Sequence, residues 1–220
     1  MNLRRHRISA LVLTAAAASL SLAACGSGGS AHDQRAFGTD GTRLVIDDTS
    51  SWTLQGDALR LGIDCSGLVF SCGSRFEVAV PPAMRVIVNS GSNAVTISGL
   101  SAPVTVNGNQ GGVNVSSVSG PLRVSTGAGS VTATALLSSA VRVTTSEGDA
   151  DISFAAAPRS VTVKCSAGNA TVKVPTAGHR YHVVVSSGSG NALSKVPDSL
   201  AGSVVRVSSD NGDATVLPAS

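Results

Sequence analysis

The sequence predicts an all-β fold, a parallel β-solenoid of about seven coils behind an N-terminal β cap. Three observations predict it. The phrase V-x-V-x-[S/T]-x-x-G-x-[V/A]-x-[V/I] recurs seven times, beginning at Val86, Val104, Leu122, Val141, Val161, Val183 and Val205, with a step that lengthens toward the C-terminus. Within each copy the apolar residues alternate with period two, as in strands buried on one face. The eighth position is Gly111, Gly129, Gly148, Gly168, Gly190 and Gly212 in six copies and Asn93 in the first. A corner residue held in register across seven units favours stacked coils over a sandwich of antiparallel hairpins, the competing arrangement.

Composition agrees. Aromatic residues make up 3% and charged residues 13%, so any core is narrow and filled by small side chains. The apolar alternation argues against disorder. The formal charge of +3 includes Arg4, Arg5 and Arg7; without them 13 basic residues face 13 acidic ones. No basic stripe with interleaved aromatics is legible along the chain, so nucleic acid is not expected as a partner.

Residues 1–24 have the form of a lipoprotein signal peptide. Arg4, Arg5 and Arg7 form a positive n-region and Ile8 to Leu20 an apolar h-region, too short to favour a spanning helix. Leu22-Ala23-Ala24-Cys25 then resembles a bacterial lipobox, in which Cys25 becomes the lipidated N-terminus. A plainly secreted chain with a coincidental Cys25 is the alternative. Two acyl chains on Cys25 would satisfy the condition for stable attachment to a lipid bilayer. Residues 25–36 read as a flexible tether.

Residues 37–85 lack the repeat and read as the cap. Short strands are expected at Leu44–Ile46, Ala58–Ile63, Leu68–Phe70 and Phe76–Val80, with Trp52 and three of the four Phe closing the open end of the stack. Pro81-Pro82 breaks the last of these before the first coil. Cys65 and Cys72 are spaced C-x6-C, and in an exported chain a disulfide closing a hairpin is expected, with two free thiols or a metal site as the alternatives.

Residues 86–220 are the solenoid. Positions 1, 3, 5, 10 and 12 of each copy share one parity and point inward. Position 5 is small throughout (Ser90, Gly108, Thr126, Thr145, Cys165, Ser187, Ser209), a ladder whose hydroxyls are expected to bond to backbone. Each coil is therefore strand, tight corner, strand and a return that lengthens toward the C-terminus. In chain order the coils would stack one after another, leaving Val216-Leu217-Pro218 at an open edge able to pair with another chain.

Phe76-Glu-Val-Ala-Val-Pro81, followed by Val86-Ile-Val-Asn-Ser-Gly and the repeats, resembles the bacterial adhesin-type family of β-strand-repeat domains of unknown function. The resemblance covers about residues 40–220 and rests on pattern rather than on unique side chains. It implies a single-stranded, right-handed β-solenoid on an exported protein, and it supplies no catalytic residues.

Candidate sites are few. No G-x-S-x-G elbow occurs, and no catalytic residue, cofactor or metal site is expected. His179, Arg180, Tyr181 and His182 crowd the long return between the fifth and sixth coils. They are either an exposed polar loop or a small ligand patch suited to a sugar or anionic polymer, with Tyr181 as a stacking surface. Asp149 with Asp151, and Asp210 with Asp213, could serve as calcium ligands or as an acid–base pair. Asp149 and Asp213 also share position 9 with Asn169 and Asn191, where turn chemistry suffices. Cys165 is expected to be a buried thiol between Thr145 and Ser187, a reactive thiol being the alternative. The function expected is a non-catalytic lipoprotein, lipid-anchored to the outer face of the bacterial cytoplasmic membrane or the cell surface. It would present the rod for adhesion or envelope interaction, to a cell-wall or host glycan or an envelope protein. An envelope sensor or scaffold that self-assembles or binds a partner protein is the second reading, and a polysaccharide-acting enzyme the third.

Overall fold

The computed structural model describes residues 18–23, 43–48, 53–55, 58–61 and 75–219. Every element among the described residues is a strand: β1 Ala18–Ala23, β2 Arg43–Asp48, β3 Thr53–Gln55, β4 Ala58–Leu61, β5 Arg75–Val80, β6 Arg85–Ser90, β7 Ala94–Ser98, β8 Val104–Gly108, β9 Val113–Ser116, β10 Leu122–Thr126, β11 Val131–Leu136, β12 Ala140–Glu147, β13 Ala150–Phe154, β14 Ser160–Ala167, β15 Ala170–Val174, β16 Tyr181–Ser187, β17 Ala192–Ser194, β18 Ser203–Asn211 and β19 Ala214–Pro218. From β6 onward each coil supplies one strand to each of two sheets. Strand one of the phrase enters the sheet β16-β18-β14-β12-β10-β8-β6-β2-β4-β3, and strand two enters β17-β19-β15-β13-β11-β9-β7-β1-β5. We call these the first and second sheets. Val86 pairs with Val104, Val104 with Leu122, Leu122 with Val141 and Val141 with Val161, all parallel and in register. The chain is a β-solenoid of about seven turns, as the repeat predicts.

The stacking order departs from chain order at one end. β18 lies between β14 and β16, and β19 between β15 and β17. The seventh coil is thus inserted between the fifth and the sixth. The chain leaves coil five, skips a level, builds coil six as the outermost layer and returns to fill the gap. The two longest steps of the repeat, Val161 to Val183 and Val183 to Val205, are these two crossovers. The expectation of an open edge at Val216-Leu217-Pro218 is corrected accordingly: β19 is bonded on both sides, and the edges belong to β16 and β17. No further coil covers coil six, and its own return meets it only where Asp198 and Ser199 reach Tyr181 and Val183; Ala192 and Ser194, expected in the core by parity, are exposed, and Val183 and Val185 are only partly buried.

The core follows the other positions as expected. Val86, Val88, Val95 and Ile97 of the first coil are fully buried, and the same pattern repeats through Val205, Val207, Ala214 and Val216. A third apolar row, not read from the repeat, fills the return side: Leu100, Val118, Leu136, Phe154, Val174 and Val196. In the first three coils it follows a residue with positive φ, namely Gly99 (70°), Ser117 (52°) and Ala135 (51°). From coil four on that residue is gone. The register between β11 and β13 shifts after Ala133 so that Leu136 faces Phe154, the bulge absorbing the difference.

The corner glycines are required chiefly by stacking. A Cβ at Gly111 would lie inside the carbonyl of Asn93, and one at Gly129 inside that of Gly111. At Gly168 a φ of 128° adds to the same close approach on Gly148. In the cap, β2 continues the first sheet parallel to β6, and β4 continues it beyond β2. Of the strands expected there, Leu68–Phe70 lies outside the described residues, as do Trp52, Cys25, Cys65 and Cys72. The backbone of β1, within the segment with leader character, pairs antiparallel with both β5 and β7.

Candidate functional site

Three surface features come out of this scaffold: a polar ladder at the corner, the exposed coil-six end and the outer face of the first sheet. The corner ladder begins with position 5. Ser90 Oγ donates to Asn93 O at 2.8 Å, Thr145 Oγ1 to Glu147 O at 3.0 Å, Ser187 Oγ to Gly212 O at 2.8 Å and Ser209 Oγ to Gly168 O at 2.7 Å. These bonds satisfy carbonyls that the tight corner leaves without a strand partner. Cys165 sits in this row, fully buried, with Thr145 and Ser209 as its register neighbours; Ser187, expected beside it, lies two levels away. Burial pushes its thiol up to about 11, the nearby Asp149 carboxylate adds to the rise, and a hydrogen bond from Ala150 N–H opposes it. The thiol is therefore protonated at neutral pH and a poor nucleophile.

Position 9 forms a second row just outside. Asp149 Oδ1 accepts the Asn169 N–H at 2.6 Å, Asn169 Oδ1 accepts that of Asp213 at 2.9 Å, and Asp213 Oδ1 accepts that of Asn191 at 2.7 Å. Along the chain the order is Asp, Asn, Asn, Asp. In the stack the inserted coil turns it into Asp149, Asn169, Asp213, Asn191, so the two carboxylates are separated by an amide. Asp151 and Asp210, their sequence neighbours in the pairs considered for calcium or catalysis, instead meet Lys173 at 3.1 Å and Lys164 at 3.7 Å. Among the described residues no group of three or more His, Cys, Asp or Glu side chains comes together.

The coil-six end divides the expected His179–His182 patch. Tyr181 is no stacking surface: it is 1% exposed, the largest fully buried side chain among the described residues, and its hydroxyl donates to Pro175 O at 2.7 Å. From coil six it thus reaches the end of coil five, bridging the skipped level. His182 turns to the next return, its Nδ1 3.1 Å from Asp198 Oδ1, which also accepts the Val183 N–H at 2.8 Å. That backbone bond first, and the His182 bond second, hold the Asp198 carboxyl below its usual range. His179 and Arg180 remain exposed and, with Lys195, Asp198 and Thr176, line an open cleft of about 440 Å³.

The outer face of the first sheet carries what the linear sequence hides. Position 2 of successive strands points to solvent, and parallel register sets Thr105 beside Arg123, Arg123 beside Arg142, Arg142 beside Thr162, and Thr162 beside Arg206. The expectation that there is no basic stripe is corrected here. Arg123, Arg142 and Arg206 belong to three different repeats, so only the fold assembles them.

Taken together, the parallel in-register sheets and ladder-lined corners define a β-solenoid domain built from short β-strand repeats. The chain belongs to the Toastrack DUF4097 family, a β-repeat domain of unknown function, whose model matches residues 82–217. That span takes in all seven coils and leaves the cap strands outside it. Neither a curated protein nor a solved structure matches the chain.

Proposed function

We propose that the chain is an exported lipoprotein whose solenoid acts as a non-catalytic binding module for adhesion or envelope interaction. The anchor is an acylated Cys25 and the spacer is residues 25–36. The observation that carries the reading is the succession of Arg4, Arg5 and Arg7, the apolar Ile8 to Leu20, and Leu22-Ala23-Ala24-Cys25. The non-catalytic part is supported by the use of the carboxylates. Asp149 and Asp213 bond backbone amides, and Asp151 and Asp210 pair with lysines. Processing ahead of Cys25 would release β1 and leave β5 and β7 without their shared partner. Labelling with radioactive palmitate in a bacterial host tests the anchor. Label is expected on the wild-type chain and absent from Cys25→Ala; equal labelling of both defeats the reading.

One observation favours the scaffold alternative. Coil six leaves β17 bonded on one side only, and the outer side of β16 is met only by Asp198 and Ser199, at Tyr181 and Val183; of the four exposed large apolar residues among the described ones, three, Val184, Leu193 and Leu200, fall within its strands and its return. Sedimentation over a range of protein concentrations separates the two: a monomer throughout supports the isolated module, and a concentration-dependent dimer abolished by Leu193→Lys supports the scaffold.

A further inference from the structure

We infer that the outer face of the first sheet is a binding surface for a linear acidic polysaccharide, with Arg123, Arg142 and Arg206 as the groups that take its carboxylates. The inference concerns the rod alone. It holds or fails whether or not Cys25 is acylated.

The argument begins with a cost. Arg123 and Arg142 are register partners on adjacent parallel strands, both exposed, about 4.8 Å apart by strand spacing. Like charges placed directly opposite are destabilising. Arg206 follows two levels further on, past Thr162. Among the described residues none of the three is in an ion pair, while Lys164 on the adjacent β14 is paired with Asp210, and Lys173, on β15 of the second sheet, with Asp151. Among the described residues the other charged or titratable groups toward this face are Arg85 on β6, Glu147 at the end of β12, the Lys164–Asp210 pair and, at the β16 edge, His182 with Asp198. The face therefore carries a net positive line on a chain whose basic and acidic residues balance beyond the leader.

The geometry selects the ligand. The stripe is one residue wide and runs along the stack, so it suits a chain rather than a plane. Beside it runs position 4: Asn107, whose amide also donates to Asn89, then Ser125, Thr144, Lys164 in its pair with Asp210, and Ser208, so that apart from Lys164 the row offers neutral amides and hydroxyls to sugar hydroxyls. Arginine forks bind carboxylates in bidentate fashion. No aromatic side chain stands at positions 2 or 4 of these strands, so stacking, the main sequence-tolerant contact to single-stranded nucleic acid, is missing. An anionic bilayer would call for a wider basic or apolar field than a single row.

Titration of the purified chain with polygalacturonate, a linear polymer of carboxylated sugars, tests this at low ionic strength. Neutral dextran, oligothymidylate and phosphatidylglycerol vesicles form the other arms. We expect binding to polygalacturonate and none to dextran. The triple variant R123Q/R142Q/R206Q should bind at least about tenfold more weakly, from the lost charge-assisted hydrogen bonds, with a shallower salt dependence. The charge-retaining triple of lysines should also bind more weakly than wild type, because the fork is lost. Lys173→Gln, on β15 of the second sheet, should leave binding unchanged. Undiminished binding by the glutamine or the lysine triple overturns the inference, as does the lack of any binding by wild type. Tighter, arginine-dependent binding to oligothymidylate or to the vesicles would assign the face to nucleic acid or membrane instead, and likewise overturns it. Melting curves of both triples confirm that each is folded.

Discussion

Coils one to five and the last two coils are written in the same phrase but built by different rules. In the first group each coil rests on its predecessor, and every buried row advances one level per repeat. In the second, coil seven is threaded between coils five and six, and the outermost layer is not the last one made. The difference teaches that a repeat fixes what a coil contains without fixing which coil lies beside which. Ladder neighbours, and with them local charge, depend on the second question. Interleaving is what places Cys165 against Ser209, separates Asp149 from Asp213 by one amide, and brings Arg206 within two levels of Arg142.

The largest expected effect comes from the side chain that spans the skipped level. Tyr181→Ala should cost about 4 kcal/mol, as for other buried aromatic truncations. The loss should be local. Amide exchange protection is expected to collapse over β16 to β19 and to persist over β8 to β13. Tyr181→Phe, which removes only the hydroxyl bond to Pro175 O, should cost about 1 kcal/mol. Uniform loss of protection along the rod under Tyr181→Ala would show that the interleaved end is not a separate cooperative unit.

A pair of glycine substitutions probes the same boundary with smaller effects. A Cβ at Gly129 meets the carbonyl of Gly111, with coils packed on both sides, so Gly129→Ala should cost about 3 kcal/mol. At Gly190 the added Cβ meets Gly212 O in the same way, but no coil lies beyond coil six, and the corner can ride outward. Gly190→Ala should cost about 1 kcal/mol. Chemical denaturation of the two variants measures the contrast. Equal losses would mean that the outer coil is held as rigidly as the middle of the stack.

How far the molecule is legible follows from the range of the forces that write it. The strand positions, the inward parity at Val86 and Val88 and the small row ending in Ser209 are local consequences of alternation and a corner, and they can be read from one repeat. The third apolar row is harder to read. Leu100, Val118, Leu136 and Phe154 do recur at equal intervals, but the left-handed residue before the first three is dropped after coil three, so Phe154 falls one position earlier within its copy and the row loses step with the repeat. Tyr181 misleads because an aromatic in a polar return, between Arg180 and His182, looks exposed. Its burial comes from the skipped level, a tertiary fact. The arginine stripe is invisible in the sequence for the same reason: charge at position 2 becomes a line only when register is known. Of the candidate patch, His179 and Arg180 stay at the surface as expected, while the other two members are drawn into the core and toward Asp198.

The corner ladder offers the finest test of the interleaving, because two stacking orders predict different charge contacts from one substitution. In the observed order Asn169 lies between Asp149 and Asp213, and Asn169→Asp would set carboxylates on three consecutive levels, each about 4.8 Å from the next. Were the coils stacked in chain order, the new carboxylate would have only Asp149 beside it. Asn191→Asp adds a single contact, to Asp213, in either order. The acceptor oxygens are retained in both variants, so the backbone bonds survive; Asn191→Asp also gives up the exposed Nδ2 bond to Asp213 Oδ1 at 3.3 Å, so the comparison is made on the part of each shift that salt removes. These positions are exposed, and each like-charge contact should cost about 0.5 kcal/mol at low salt, fading as the Debye length shortens. The salt-dependent loss of melting temperature should therefore be about twice as large for Asn169→Asp as for Asn191→Asp, and should vanish near 1 M salt, where screening acts within about 3 Å. Equal salt-dependent shifts from the two variants would mean that Asn169 has one carboxylate neighbour, and that coil six, not coil seven, rests on coil five.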